Sequence, residues 1–143
     1  MSARIDGIES LRRKLGEIRS DSDKVLERGL LKAGEKIRGR AVMLCPVKTG
    51  ELRNSIKAEK TAPLTVAVGT NKEYAPYVEY GTGTMGDPAV AHTDKDSWTY
   101  QDENGEWHTA YGQPAQPFLR PAVREDEVYS TVAAELRRAI EDA

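Results

Sequence analysis

Gly81-Thr82-Gly83-Thr84-Met85-Gly86 carries the G-x-G-x-x-G spacing that, in dinucleotide-binding folds, leads a strand into a helix whose N-terminus takes a pyrophosphate. Here Asp87-Pro88 follows, no apolar periodicity continues, and no βαβ unit can be drawn around the glycines, so they read as a flexible turn. Lys48-Thr49-Gly50 matches an element of the serine β-lactamases, which also need a nucleophilic S-x-x-K; no serine in this chain has lysine three residues on. The triplet reads instead as a loop leading into a first strand. His92, Asp94 and His108 are conceivable zinc ligands, but no cysteine pair supports them. The expectation is a non-enzyme with no catalytic residues, no cofactor, no metal and no small-molecule substrate.

A more informative set is Lys24, Arg28, Lys32, Lys36 and Arg40, which recur four apart and so form a slowly winding cationic stripe on a helix. The stripe faces either nucleic acid, an acidic partner, or solvent, with Glu27 and Glu35 easing the repulsion. No aromatic residue interleaves it, so a nucleic-acid contact there is expected to be backbone-only and salt-sensitive. A small nucleic-acid-binding module using the basic helix 24–40 is therefore the alternative function.

The chain has 143 residues, of which 38% are apolar, and only 27 are Leu, Ile, Val or Phe. With a net charge of −2 this predicts one folded domain, 1–143, with a thin core of the kind that partner subunits commonly complete. Residues 1–60 carry 15 Lys or Arg against 9 Asp or Glu; residues 61–143 carry 6 against 14. Opposed charge of this sort suits copies docking head to tail, the contact type that closes into rings. No apolar run approaches the length that crosses a bilayer, and the N-terminus lacks the apolar stretch of a secretory signal. The single cysteine, Cys45, agrees with a reducing compartment and reads as a small buried apolar side chain.

The elements follow from spacing. Ile5, Ile8, Leu11, Leu15 and Ile18, behind an Asp6-x-x-Glu9 cap, predict a short amphipathic helix. Ser20-Asp21-Ser22-Asp23 predicts a second start, and Val25 through Leu44 a second helix ended by Pro46. Leu52–Lys60 and Leu64–Gly69 read as an antiparallel pair of strands, and Tyr74–Tyr80 as a strand or a short helical turn. Within the polar, Gly-rich stretch that follows, Trp98–Tyr100 and Trp107–Tyr111 flank Asn104-Gly105, predicting an inserted β-hairpin arm at about 84–112. Pro114, Pro117 and Pro121 force an extended segment anchored by Phe118-Leu119. Pro121 then sits at the first turn of a last helix with Val128, Val132, Leu136 and Ile140 on one face. The class is α+β: two N-terminal helices, a small antiparallel sheet with an inserted hairpin arm, and a C-terminal helix.

Three segments in order resemble one known family: Pro46-Val47-Lys48-Thr49-Gly50-Glu51-Leu52-Arg53-Asn54-Ser55-Ile56, Tyr74-Ala75-Pro76-Tyr77-Val78-Glu79-Tyr80-Gly81-Thr82-Gly83, and Gln116-Pro117-Phe118-Leu119-Arg120-Pro121-Ala122. They are similar to elements of the tail-component, or neck, family of long-tailed bacteriophages, and spread the likeness over nearly the whole chain. Residues 84–112 depart from it, being longer and more aromatic than the family's loop. The resemblance implies a structural virion protein that forms a homo-oligomeric ring at the head–tail junction and helps to join or complete the tail and connector. The resemblance also implies assembly in the host cytoplasm. The implied partners are copies of itself, the connector or head-completion proteins, the tail-terminator or tail-tube proteins and passing genomic DNA, with no membrane. Tyr77, Glu79, Tyr80, Phe118 and Arg120 are the residues expected at subunit contacts, because aromatic and Arg anchors dominate interface energetics.

Overall fold

The structure, a computed structural model, describes residues 7–47, 49–90 and 95–142. Its elements run α1 (Ile8–Leu44), α2 (Glu51–Ser55), β1 (Lys57–Ala62), β2 (Thr65–Gly69), α3 (Ala75–Tyr80), β3 (Ser97–Gln101), β4 (Trp107–Tyr111) and α4 (Glu125–Glu141), with short 3₁₀ turns at Gly83–Met85 and Arg120–Ala122. The strands form two separate two-stranded sheets, β1 with β2 and β3 with β4. The α+β class is as the sequence predicts.

Three local expectations are corrected and one that was left open is resolved. The two N-terminal helices are one helix of 37 residues. Ser20-Asp21-Ser22-Asp23 contains neither Pro nor Gly, and poor helix formers cost only a few tenths of a kcal/mol each, less than a break would forfeit. Secondly, the beginning of the expected first strand is the helical turn α2. Gly50 adopts φ 82° and its carbonyl accepts the Asn54 N–H at 2.9 Å, closing that turn. Leu52 within this turn and Ile56 just past its end both enter the core, as an even spacing would also allow in a strand. Thirdly, Tyr74–Tyr80 resolves to helix. Fourthly, Pro121 lies in the 3₁₀ turn, closed by Ala122 N–H to Leu119 O at 3.1 Å, and α4 begins only at Glu125, where three acids occupy the positive end of its dipole. The Asp6 cap and the Ile5 position lie outside the described residues, as do the side chains of Ile8, Leu11, Leu15 and Ile18.

The chain divides into two compact units. One comprises the chain up to Glu35, Ala58–Ala67 and the residues from Glu125 onward. Within it α1 and α4 touch through a glycine: a Cβ on Gly29 would lie 3.0 Å from Val132 Cα and 3.5 Å from Glu135 Cβ. The packed face of α4 is therefore centred on Thr131 and Glu135, both buried, with Val128, Val132 and Leu136 half-buried and Ile140 68% exposed. The expected apolar stripe is turned because backbone contact at Gly29 requires small or flexible side chains beside it. Glu135 pairs there with Lys32, and Glu27 holds the β1–β2 hairpin by accepting from Lys60 Nζ at 2.8 Å and from the Leu64 N–H at 3.3 Å. Replacing Gly29 with Leu is expected to cost about 2–3 kcal/mol by forcing this crossing apart. Gly29→Ala is expected to be milder, since its contact is offset by up to about 1 kcal/mol of helix propensity. Urea midpoints that fall equally for both would refute the steric account.

The second unit comprises Lys36–Lys57 and Val68–Arg124. Its core joins Ala41, Cys45, Leu52, Ile56, Ala75, Phe118 and Ala122, with Ile37, Val42, Val68, Val78 and Leu119 packed around. Cys45 is buried as expected, and burial pushes its thiol pKa up. β3 and β4 pair antiparallel from Ser97↔Tyr111 to Gln101↔Trp107, realising the inserted arm.

Candidate functional site

Helix α3 is short, begun by Pro76 at its first turn and ended by Gly81 at φ 74°, ψ −178°, a conformation open essentially to glycine alone. Ala75 and Glu79, one turn apart, are the buried residues of this helix, so the turn delivers a carboxylate into the interior. Facing it is the segment Gln113–Ala122, strapped along α3 by Thr82 N–H to Gln113 O at 2.9 Å, Gln113 N–H to Thr82 O at 3.0 Å and Gln116 N–H to Val78 O at 2.8 Å.

Glu79 is the clasp between them. Its carboxylate accepts the backbone N–H groups of Phe118 at 2.8 Å, Leu119 at 3.0 Å and Arg120 at 3.0 Å, and the Arg120 Nε–H at 3.0 Å. Burial by itself raises the Glu79 pKa, but the N–H groups of Leu119, Phe118 and Arg120 together with the guanidinium outweigh it and hold the carboxyl below its ordinary value. Arg120 also donates to Asp87 Oδ2 at 2.9 Å and to the Glu79 carbonyl at 3.2 Å, and its guanidinium carbon lies 4.5 Å from the Tyr80 ring centroid. This cation–π contact fixes both side chains.

All five residues expected at subunit contacts thus come together on α3 and its strap, in unlike surroundings. Glu79 and Phe118 are buried at 3% and 0% exposure, Tyr80 and Arg120 form the rim, and Tyr77 stands 58% exposed. Beside them Leu52, Tyr74, Tyr77, Trp98, Tyr100 and Tyr111 contribute to the wall of a groove of about 830 Å³.

The glycines of the G-x-G-x-x-G stretch serve close approach. A Cβ on Gly81 would meet Ala115 N at 2.6 Å and Gln113 O at 2.7 Å, and one on Gly83 would meet Gly112 Cα at 2.8 Å. Gly81→Ala is accordingly expected to lower stability by about 2–3 kcal/mol through strain and forced separation of the strap. An unchanged melting temperature would show that the strap does not matter to folding. Of Lys48-Thr49-Gly50, Lys48 lies outside the described residues, Thr49 Oγ1 accepts the Glu51 N–H at 3.3 Å, and Gly50 caps α2.

The cationic stripe is partly drawn into internal contacts. Lys32 pairs with Glu135, and Arg40 donates to the Ala122 carbonyl at 2.6 Å, while Lys24, Arg28 and Lys36 are exposed. His92 and Asp94 lie outside the described residues. His108 instead approaches two residues the sequence reading passed over: ligand atoms of Asp102, Glu106 and His108 lie within 4.8 Å of one another at the arm's tip. Asp102 accepts from Asn104 and Glu106 N–H groups at 2.9 Å each and lies 2.7 Å from His108 Nε2, while Tyr100 stacks on the His108 ring at 5.5 Å. The bond to His108, then that from the Glu106 N–H, holds the Asp102 pKa down. The group clasps the Asn-Gly hairpin. An aspartate opening such a turn was the available signal.

No helix among the described residues is long and apolar enough to cross a membrane. No curated protein and no solved structure matches the chain. A family described as "Bacteriophage HK97-gp10, putative tail-component" matches residues 9–81, just over half of the sequence, from the first turn of α1 through α3 to the Gly81 that ends it. The stretch contains the first of the three segments noted in the sequence, the second as far as Gly81, and the buried carboxylate of Glu79, and on that match the chain belongs to the HK97-gp10-like family of bacteriophage tail components.

Proposed function

We propose that this protein is a non-enzymatic structural component of the virion, assembling as a ring at the head–tail junction and helping to join or complete the tail and connector. The observation that carries the reading is the family match over residues 9–81. It is supported by large apolar side chains left in solvent on a thin core: Met43, Tyr77, Trp107, Tyr111 and Tyr129 are each more than half exposed. Such side chains are the anchors that protein interfaces use. In this reading the whole chain acts as one subunit domain. Tyr77, Tyr80 and Arg120 meet a neighbour, and Glu79 and Phe118 hold the surface that presents them. The partners are further copies and the adjoining connector and tail proteins, with genomic DNA passing through.

Light scattering on the purified protein after size-exclusion chromatography, with and without isolated tails or connectors, tests this. A closed ring alone, or a monomer recruited by those particles, is the expected result. A monomer indifferent to both would overturn it and turn attention to the exposed cations of α1, where steep loss of duplex-DNA binding with salt would favour the nucleic-acid reading.

A further inference from the structure

The β3–β4 arm lies beyond the stretch that matches the family and has two unlike faces. Trp98, Tyr100, His108 and Ala110 share one face, from which Trp98, Tyr100 and Ala110 line the groove. Trp107, Thr109 and Tyr111 share the other with Ser97, Thr99 and Gln101, and there Trp107 is 69% and Tyr111 73% exposed, Tyr111 at the end of the strand also reaching the groove's edge. Residues 95–111 carry Asp96, Asp102, Glu103 and Glu106 against Lys95. The arm is thus an acidic finger with an uncovered aromatic face.

In the same unit, Lys36, Arg40, Met43 and Leu44 fall on one side of α1 by their spacing, and Val47 follows three residues after the helix ends. Met43 is 82%, Val47 59% and Leu44 46% exposed. The sequence 36–57 carries Lys36, Arg38, Arg40, Lys48, Arg53 and Lys57 against Glu51 alone. The segment combines exposed apolar side chains with a strongly basic sequence, the complement of the arm. Both are exposed in the folded chain, so neither covers the other within one copy.

We infer that the arm of one copy docks on the Lys36–Val47 surface of a second copy. Trp107 and Tyr111 cover Met43 and Val47, and Glu103 and Glu106 meet the exposed Lys36. The contact joins unlike surfaces, so each copy offers one arm and one helix face, and repetition closes a ring when the rotation allows. The inference rests on the ring reading above and names the contact that builds it.

The test uses the full chain with Cys45→Ser, in one version carrying Glu106→Cys and in another Lys36→Cys. Mild oxidation of the mixture is expected to give a covalent dimer that neither version gives alone. The charge reversal Glu103→Lys with Glu106→Lys is expected to weaken self-association at least tenfold, and mixing with Lys36→Glu to restore it. Trp107→Ala, at an exposed position, is expected to weaken association with an unchanged circular dichroism melt. A ring that forms without the cross-link and ignores these substitutions would overturn the arm contact and leave the ring reading standing. Cross-linked open chains that never close would support the contact and overturn the ring. A chain that stays monomeric at every concentration, alone or with tails, would overturn both.

Discussion

Glu79→Ala is expected to destabilise the protein by about 3–5 kcal/mol, read as a fall in the urea midpoint at neutral pH, the range found when one partner of a buried charged network is removed. The size follows from what the carboxylate does. It is the acceptor for three successive backbone N–H groups, on Phe118, Leu119 and Arg120, in bonds that are buried or part-buried. Each donor left unsatisfied costs about 1–3 kcal/mol. Arg120 keeps Asp87, so the loss falls on the strap more than on the guanidinium. Glu79→Gln retains the volume but has one acceptor oxygen, and its NH₂ faces donors; it is expected to recover only part of the stability. Because the folded carboxyl sits below its ordinary pKa, its contribution is fully present above the unfolded value of about 4.3 and is lost as pH falls through the folded pKa. The acid limb of a stability profile should therefore be flatter in Glu79→Gln than in the wild type. A Glu79→Ala protein melting with the wild type would sink the clasp argument.

What could be read from the sequence was whatever rested on local chemistry. The arm was legible because Asn104-Gly105 permits a tight turn and Trp98, Tyr100, Trp107 and Tyr111 alternate around it. The C-terminal helix was legible, but not its packed face, which Gly29 decides from about a hundred residues away in sequence. The first turn of the expected strand was missed because Leu52 and Ile56, four apart, share a face in a strand as well as in a helix, which left only Gly50 to signal the turn. The five residues singled out around α3 do converge, yet nothing in residue spacing says that Glu79 would face backbone N–H groups some forty positions on. A carboxylate at a helical position looks solvated until the strap is folded onto it.

Phe118 makes the second large expectation. It is fully buried, among neighbours that are mostly small: Ala41, Cys45, Ala75 and Ala122, with Leu52 and Ile56. Small neighbours collapse poorly into a vacated space, so Phe118→Ala is expected to cost about 3–5 kcal/mol, and Phe118→Asp to prevent this unit from folding because a charge would lie in that space unpaired. Thermal melts followed by circular dichroism decide the matter. A Phe118→Asp chain that melts normally but no longer assembles would show the ring facing a neighbour instead of the core. The coupling with Glu79 is a sharper measurement. Phe118 anchors the strap by its side chain and Glu79 by the strap's backbone, so once either is lost the segment is already loose and the other has less to hold. The double variant Glu79→Ala with Phe118→Ala should therefore lose less than the sum of the two single losses, by about 1 kcal/mol or more. Additive losses would mean that the two act on separate parts of the fold, and the surface carrying Tyr77, Tyr80 and Arg120 would then need another explanation for its position.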